Sequence, residues 1–202
     1  MLGQHRLKKQ RTKRIHICES DDIAWGTTHR NLQTLLECLN RQVPTIQELV
    51  DFFIDPLSGQ RGEGELLEPH DIGIWLLCIH GITSTCVLLT LDTCVTAPPT
   101  ARISKRTTLD TYITYPNENM DYDTFMDKMS KTYAPVIINN GEQSYIILEM
   151  IYNNKNKSGA GASLRIGDPL TPHNTNIPWV SAKRFLYNKG QTSKWMCIFI
   201  DP

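Results

Sequence analysis

Residues 69–96 read PHDIGIWLLCIHGITSTCVLLTLDTCVT, and the twenty positions between Asp71 and Asp92 carry no formal charge. A stretch this apolar has to leave water, either in protein or in lipid. Its periodicity changes partway. Ile72, Trp75, Leu76 and Ile79 stand at i, i+3, i+4 and i+7, the stripe of a helix with one buried face. Pro69 suits the first helical position and Asp71 puts negative charge in the first turn. Gly81 suits the left-handed residue past the helix end, with His80 near the C-terminal dipole. Beyond it Thr83, Thr85, Val87 and Thr90 are β-branched, and Val87, Leu89, Leu91 and Val95 share one side of an alternating run. The reading is helix, glycine stop, then a long core strand.

A membrane-spanning helix is the rival, because about eighteen uncharged residues suffice to qualify one. Five polar residues (His80, Thr83, Ser84, Thr85, Thr90), two glycines and acidic flanks without a basic anchor argue against it.

Upstream, Thr27 or Thr28 is expected to cap a helix with a Leu32, Leu35, Leu36, Leu39 stripe. A second helix starts at the Thr45/Glu48 capping box, carries Ile46, Leu49, Val50 and Phe53 on its dry face, and ends before Pro56. Each is expected to keep one wet face. Residues 15–18 suit a short edge strand. Downstream, residues 90–98 and 108–116 share six of nine positions and alternate with the same parity, which fits two strands of one sheet. Asp121 caps a helix with a Tyr122, Phe125, Met126, Met129 stripe that ends before Pro135. Residues 145–152 and 195–200 are core strands, and residues 153–163 form a long turn into a strand over 162–166. The fold class expected is α+β: a single domain over residues 15–202, helices packed on a mostly antiparallel sheet, preceded by a disordered basic arm over residues 1–14.

The chain has 202 residues and a formal net charge of zero, but the charge is divided unevenly. Arg6, Lys8, Lys9, Arg11, Lys13 and Arg14 place six positive charges in the first fourteen residues, leaving 15 basic against 21 acidic residues elsewhere. Such an arm serves nuclear import, an anionic membrane surface or nucleic-acid phosphate, and Lys8 to Arg11 has the short form that import receptors read. The loop over residues 58–66, with Arg61, Glu63 and Glu65, is a second contact candidate, for a protein partner. No secretory signal opens the chain, and Cys18, Cys38, Cys78, Cys86, Cys94 and Cys197 show no ligand spacing, so they read as buried free thiols in a reducing compartment.

Nothing in the chain is a catalytic signature. Cys78 and His80 lie on different faces of one helix, and the loops at 59–65 and 158–163 lack the flanking elements of a phosphate cradle. The six histidines are dispersed, so no metal site, cofactor or small-molecule substrate is expected. Tyr145 to Leu148 matches a short YxxL motif but sits in the most apolar strand, where burial is the expected role.

The basic residues Arg6 to Arg14, the helix-strand unit from Asp71 to Pro98 and the late strands at 145–152 and 194–200 together resemble the matrix proteins of rhabdoviruses. Residues 15–28 lack the proline-rich budding motif usual after the arm, which brings the layout nearer to matrix-like accessory proteins of that group. The resemblance implies a non-enzymatic viral protein of the host nucleus and cytoplasm that binds import receptor and host regulatory proteins, with countering innate defence as the purpose it suggests. The alternative it implies is a matrix protein bridging membrane and nucleocapsid. Replacing Lys8, Lys9 and Arg11 with alanine is expected to abolish nuclear accumulation; an unchanged distribution under the microscope refutes the import role.

Overall fold

Near its C-terminus the chain alternates Trp195, Cys197 and Phe199 with Ile198 and Ile200, so neither face of that strand suits water. It belongs inside a sheet covered on both sides. The computed structural model describes residues 5–6, 15–23, 25–53, 67, 69–91, 118–152, 161–171, 177–189 and 194–201. In chain order the elements are β1 (His5–Arg6), α1 (Thr27–Cys38), α2 (Ile46–Phe52), α3 (Pro69–His80), β2 (Ser84–Thr90), β3 (Glu118–Met120), α4 (Tyr122–Lys131), β4 (Val136–Asn139), β5 (Ser144–Tyr152), β6 (Ser163–Gly167), β7 (Trp179–Ser181), α5 (Ala182–Lys189) and β8 (Lys194–Ile200). The sheet runs β3-β2-β8-β4-β5-β6-β7. Its neighbours are antiparallel except β2 and β3. The expected α+β fold with a mostly antiparallel sheet is what the chain adopts.

Period-two alternation divides the side chains of β4, β5 and β8 between two cores. Val136, Ile138, Tyr145, Ile147, Trp195 and Phe199 meet α4 and α5 on one face. Ile137, Ile146, Leu148, Ile198 and Ile200 meet α1, α2 and α3 on the other. The register of β5 against β6 shifts between Ile147 and Glu149, after which Met150 joins the first core. All of Tyr145 to Leu148 is buried, as expected for the YxxL match.

Local signals hold where capping chemistry sets them. Glu48 N–H donates to the Thr45 hydroxyl and Thr45 N–H to the Glu48 carboxylate, starting α2. Asp121 accepts from Thr124 N–H at 2.8 Å and starts α4. Gly81 takes φ +62 after α3, donating to the Leu77 carbonyl. At twelve residues α3 spans about 18 Å, short of a bilayer core, and no described helix is long and apolar enough to cross a membrane.

Other expectations need correction. Neither Thr27 nor Thr28 caps α1: Gly26 is the N-cap and makes no side-chain cap bond. The helix has no wet face at its start, since Thr27, Thr28, His29, Asn31, Gln33 and Thr34 are buried along with its leucines. Residues 15–18 form no strand; Cys18 N–H makes one bond, to the Pro169 carbonyl, and covers α1 instead. Cys78 is exposed and Cys18 half-buried, whereas Cys38, Cys86 and Cys197 are buried as expected. Within the arm, His5–Arg6 pair antiparallel with Tyr152 and Ile151 and are not free of the fold. The reason is that β4 covers β5 only from Ser144 to Ile147, which leaves the backbone edge beyond it to be paired. Of the duplicated threonine-rich segments only Thr90 and Leu91 are described, and residues 153–160 of the long turn lie outside the described residues.

An ion pair fixes the start of α1. Arg30 Nε donates to Asp22 Oδ2 at 2.6 Å with side chains 12% and 4% exposed, while Gly26 N–H and Trp25 N–H reach the Asp22 carbonyl. Any Cβ on Gly26 would stand 2.5 Å from Asp22 Oδ2. Arg30→Ala strands a buried carboxylate and is expected to cost about 3–5 kcal/mol. Lys131→Ala, which breaks an exposed pair with Asp127 (73% and 62% exposed), should cost less than about 1 kcal/mol. Denaturant titration of both variants measures the difference.

Candidate functional site

Of the side chains singled out in the sequence, Lys8, Lys9, Arg11, Lys13, Arg14, Arg61, Glu63 and Glu65 lie outside the described residues, and Arg6 is placed only through its backbone in β1. The described residues bring together a different set. Where α2 passes the C-terminal half of α3, a groove of about 340 Å³ opens, lined by Gln42, Pro44, Glu48, Phe52, Trp75, Ile79 and His80.

Helical spacing explains the lining. Glu48 and Phe52 are four apart on α2, as are Trp75 and Ile79 on α3, so each pair projects from one side of its helix. Phe52 and Phe53 are adjacent, and their rings meet edge-on with centroids 5.2 Å apart. Phe53 is half-buried and packs on the second core, while Phe52 is 44% exposed with its ring 6.4 Å from Trp75 at 75°. His80 stands edge-on to Trp75, centroids 4.7 Å apart at 66°. Ile79, the fourth member of the expected buried stripe, is 54% exposed and Leu77 is 46% exposed. The doubled Phe52-Phe53 was the available signal, because a short helix that ends at two adjacent rings leaves one of them at the surface.

Electrostatics gives this groove one permanent charge. Hydrogen bonds from Thr45 N–H and its hydroxyl, at 2.7 and 3.0 Å, hold the Glu48 carboxyl below its ordinary pKa. Burial, with Arg41 nearby, lowers the pKa of His80 and keeps the ring neutral at pH 7. An ionised carboxylate thus stands beside two carbon-rich rings and a neutral imidazole.

The first turn of α1 is the other concentration of functional groups. The hydroxyls of Thr27 and Thr28, both ring nitrogens of His29 and Asn31 Oδ1 are buried without a hydrogen-bond partner in the protein, while Asn31 Nδ2 donates to Ser144 Oγ at 3.0 Å. His29 lies edge-on between Trp25 and Phe53, at 5.1 and 6.2 Å. No thiol sits in this turn. Burial, then the Asp22 charge, pushes Cys18 up to about 12, and burial with Glu37 pushes Cys38 up to about 11. Burial also raises Cys197 well above the ordinary thiol range. These three sulfurs are protonated at neutral pH and are not nucleophiles. Cys78 and His80 do not pair: Cys78 is exposed, and His80 turns onto Trp75. Among the described residues no group of three His, Cys, Asp or Glu side chains could hold a metal ion.

Neither a protein-family model nor a curated protein sequence matches the chain. Among solved structures it is similar to a crystal structure of UfSP from C. elegans, with a TM-score of 0.58 and 14% identity over 93% of this chain. It spans 32% of that chain's length. The likeness is one of fold, and fold alone does not carry an activity across.

Burial lowers the pKa of His29 from 6.5 to about 4, against a smaller opposing effect of Asp22. The unfolded chain therefore takes up a proton between those values that the folded chain refuses. The resulting stability is complete above pH 6.5 and is lost as pH falls toward 4. His29→Phe is expected to flatten the pH dependence of unfolding free energy in that window by up to about 3 kcal/mol, measured by urea titration at a series of pH values.

Proposed function

We propose that this chain is a non-enzymatic binding protein that recognises a protein partner through the groove between α2 and α3. The observation that carries the reading is the exposure of Phe52 and Ile79, both of which line that groove, since clustered apolar exposure rimmed by polar groups marks interaction surfaces. The basic residues of the arm keep, in this proposal, the import or anionic-surface role that their sequence implies. From the matrix-like layout the reading takes the mode of action, binding without catalysis.

A second reading, a hydrolase built on the first turn of α1, is favoured by the unpartnered polar side chains there. It requires a base within about 2.6–3.2 Å of a nucleophile. Thr27 and Thr28 make no hydrogen bond to His29, and no sulfur stands in the turn. The binding reading accounts for more of the surface with fewer unmet requirements.

In-cell crosslinking from a photoreactive residue at position 42, an exposed position of the groove lining, with mass spectrometry of the products, tests the choice. The double variant Phe52→Ser, Ile79→Ser is expected to lose at least about ten-fold of a specific crosslink, a hot-spot sized effect, and to keep its melting temperature. An unchanged crosslink pattern overturns the groove as the binding surface. Covalent labelling of Thr27 or Thr28 by a hydroxyl-directed electrophile at neutral pH would support the hydrolase instead.

A further inference from the structure

We propose that residues 15–22 are a strap that opens from α1 while the rest of the fold stays intact, and that its opening slackens the groove between α2 and α3. The inference rests on the binding role proposed for that groove and adds its regulation. Helical spacing brings positions 27, 30, 31, 34 and 37 onto one side of α1. The strap grips three of them: His16 N–H donates to the Thr34 hydroxyl at 3.0 Å, the His16 ring meets the Glu37 carboxylate at 2.9 Å, and the Asp22 carboxylate accepts from Arg30 at 2.6 Å. Cys18 N–H ties the strap to the Pro169 carbonyl. Thr27 and Asn31 share that side, and there Thr27 Oγ1 and Asn31 Oδ1 are buried without a hydrogen-bond partner. Buried polar groups are nearly always paired, so the shut strap withholds hydration that opening restores. Little apolar contact opposes this. Ile15 is the one fully buried residue of the strap besides Asp22, and Glu19, Ser20 and Asp21 are exposed. Segments so held are the first to open locally.

A series of packed rings carries the opening to the groove. Trp25 N–H and Gly26 N–H both donate to the Asp22 carbonyl, so the end of the strap positions Trp25. The Trp25 ring stands 5.1 Å from His29, and His29 stands 6.2 Å from Phe53. Phe53 in turn lies 5.2 Å from Phe52 and 6.3 Å from Trp75, two residues that line the groove. Neither ring nitrogen of His29 has a hydrogen-bond partner, so the rings on either side set its position and water would serve it better. Released together with Trp25, His29 gives up the space against which Phe53 packs, and the end of α2 relaxes. A partner seated in the groove fixes Phe52 and, by linkage, holds the strap shut.

Native-state hydrogen exchange of the full chain, resolved amide by amide by NMR with no partner present, tests strap and relay. The amides of His16, Cys18 and Gly26 should share one opening constant, at least about a hundred-fold larger than that of Ile198 in the central strand and little changed by low urea. The Phe53 amide, which donates to the Leu49 carbonyl, reports the end of α2. Thr27→Val replaces the unpartnered hydroxyl with a methyl of the same size and should slow exchange at all four amides by at least about five-fold. His16→Ala should speed it several-fold. Adding Trp25→Ala to Thr27→Val should keep the slowing at His16 and Cys18 and abolish it at Phe53. Strap amides that exchange no faster than Ile198 overturn the strap, and a Phe53 amide indifferent to Thr27→Val overturns the relay. A crosslink pattern unchanged by Phe52→Ser, Ile79→Ser would sink the binding surface alone, because the exchange measurements need no partner.

Discussion

The constraint on which the rest depends is the double-sided apolarity of β4, β5 and β8. Val136 and Ile138 point one way and Ile137 the other, as do Tyr145 and Ile147 against Ile146, and Trp195 and Phe199 against Ile198. A sheet with such a centre must be covered above and below, so the helices are divided between its faces: α4 and α5 on one, α1, α2 and α3 on the other. With three helices crowding one face, α1 is pressed against the sheet, α2 and residues 15–18, and its polar residues are taken out of water. The chain meets part of that cost with local partners. Gln33 donates to the Pro44 carbonyl, the Thr34 hydroxyl accepts from His16 N–H, and Arg30 finds Asp22.

Crowding on one face also creates the groove. The α2 helix is only seven residues long and turns its end toward α3, so Phe53 reaches the core while Phe52 cannot. On α3 the stripe meets the core at Ile72, Trp75 and Leu76 and has left it by Ile79. The surface that results sets the exposed Phe52 and Ile79 beside a carboxylate pinned by its own helix cap.

Sequence-local chemistry was legible and long-range arrangement was not. The Thr45/Glu48 box, the Asp121 cap, the Gly81 stop and the Tyr122 to Met129 stripe are set by neighbours within a turn or two, and each appears where the sequence places it. The burial of Thr27, Thr28, His29 and Asn31 was illegible because polarity in a helix normally marks its wet side, and only the packing of distant segments reverses that. For the same reason Ile79 read as core. Helix α5 was missed because Phe185 and Leu186 are too few to set a stripe, and the short strands β3, β4 and β7 take their identity from their partners. The order β3-β2-β8-β4-β5-β6-β7 joins strands over a hundred residues apart, which no local pattern encodes.

The two-residue strand β1 ties His5 and Arg6 to the edge of the sheet at β5. Arg6 is pinned beside Ile151, and Ile15 is sunk in the second core. Arg6 and Ile15 are nine positions apart, so the sheet edge at β5 and the second core each take hold of the chain near its start.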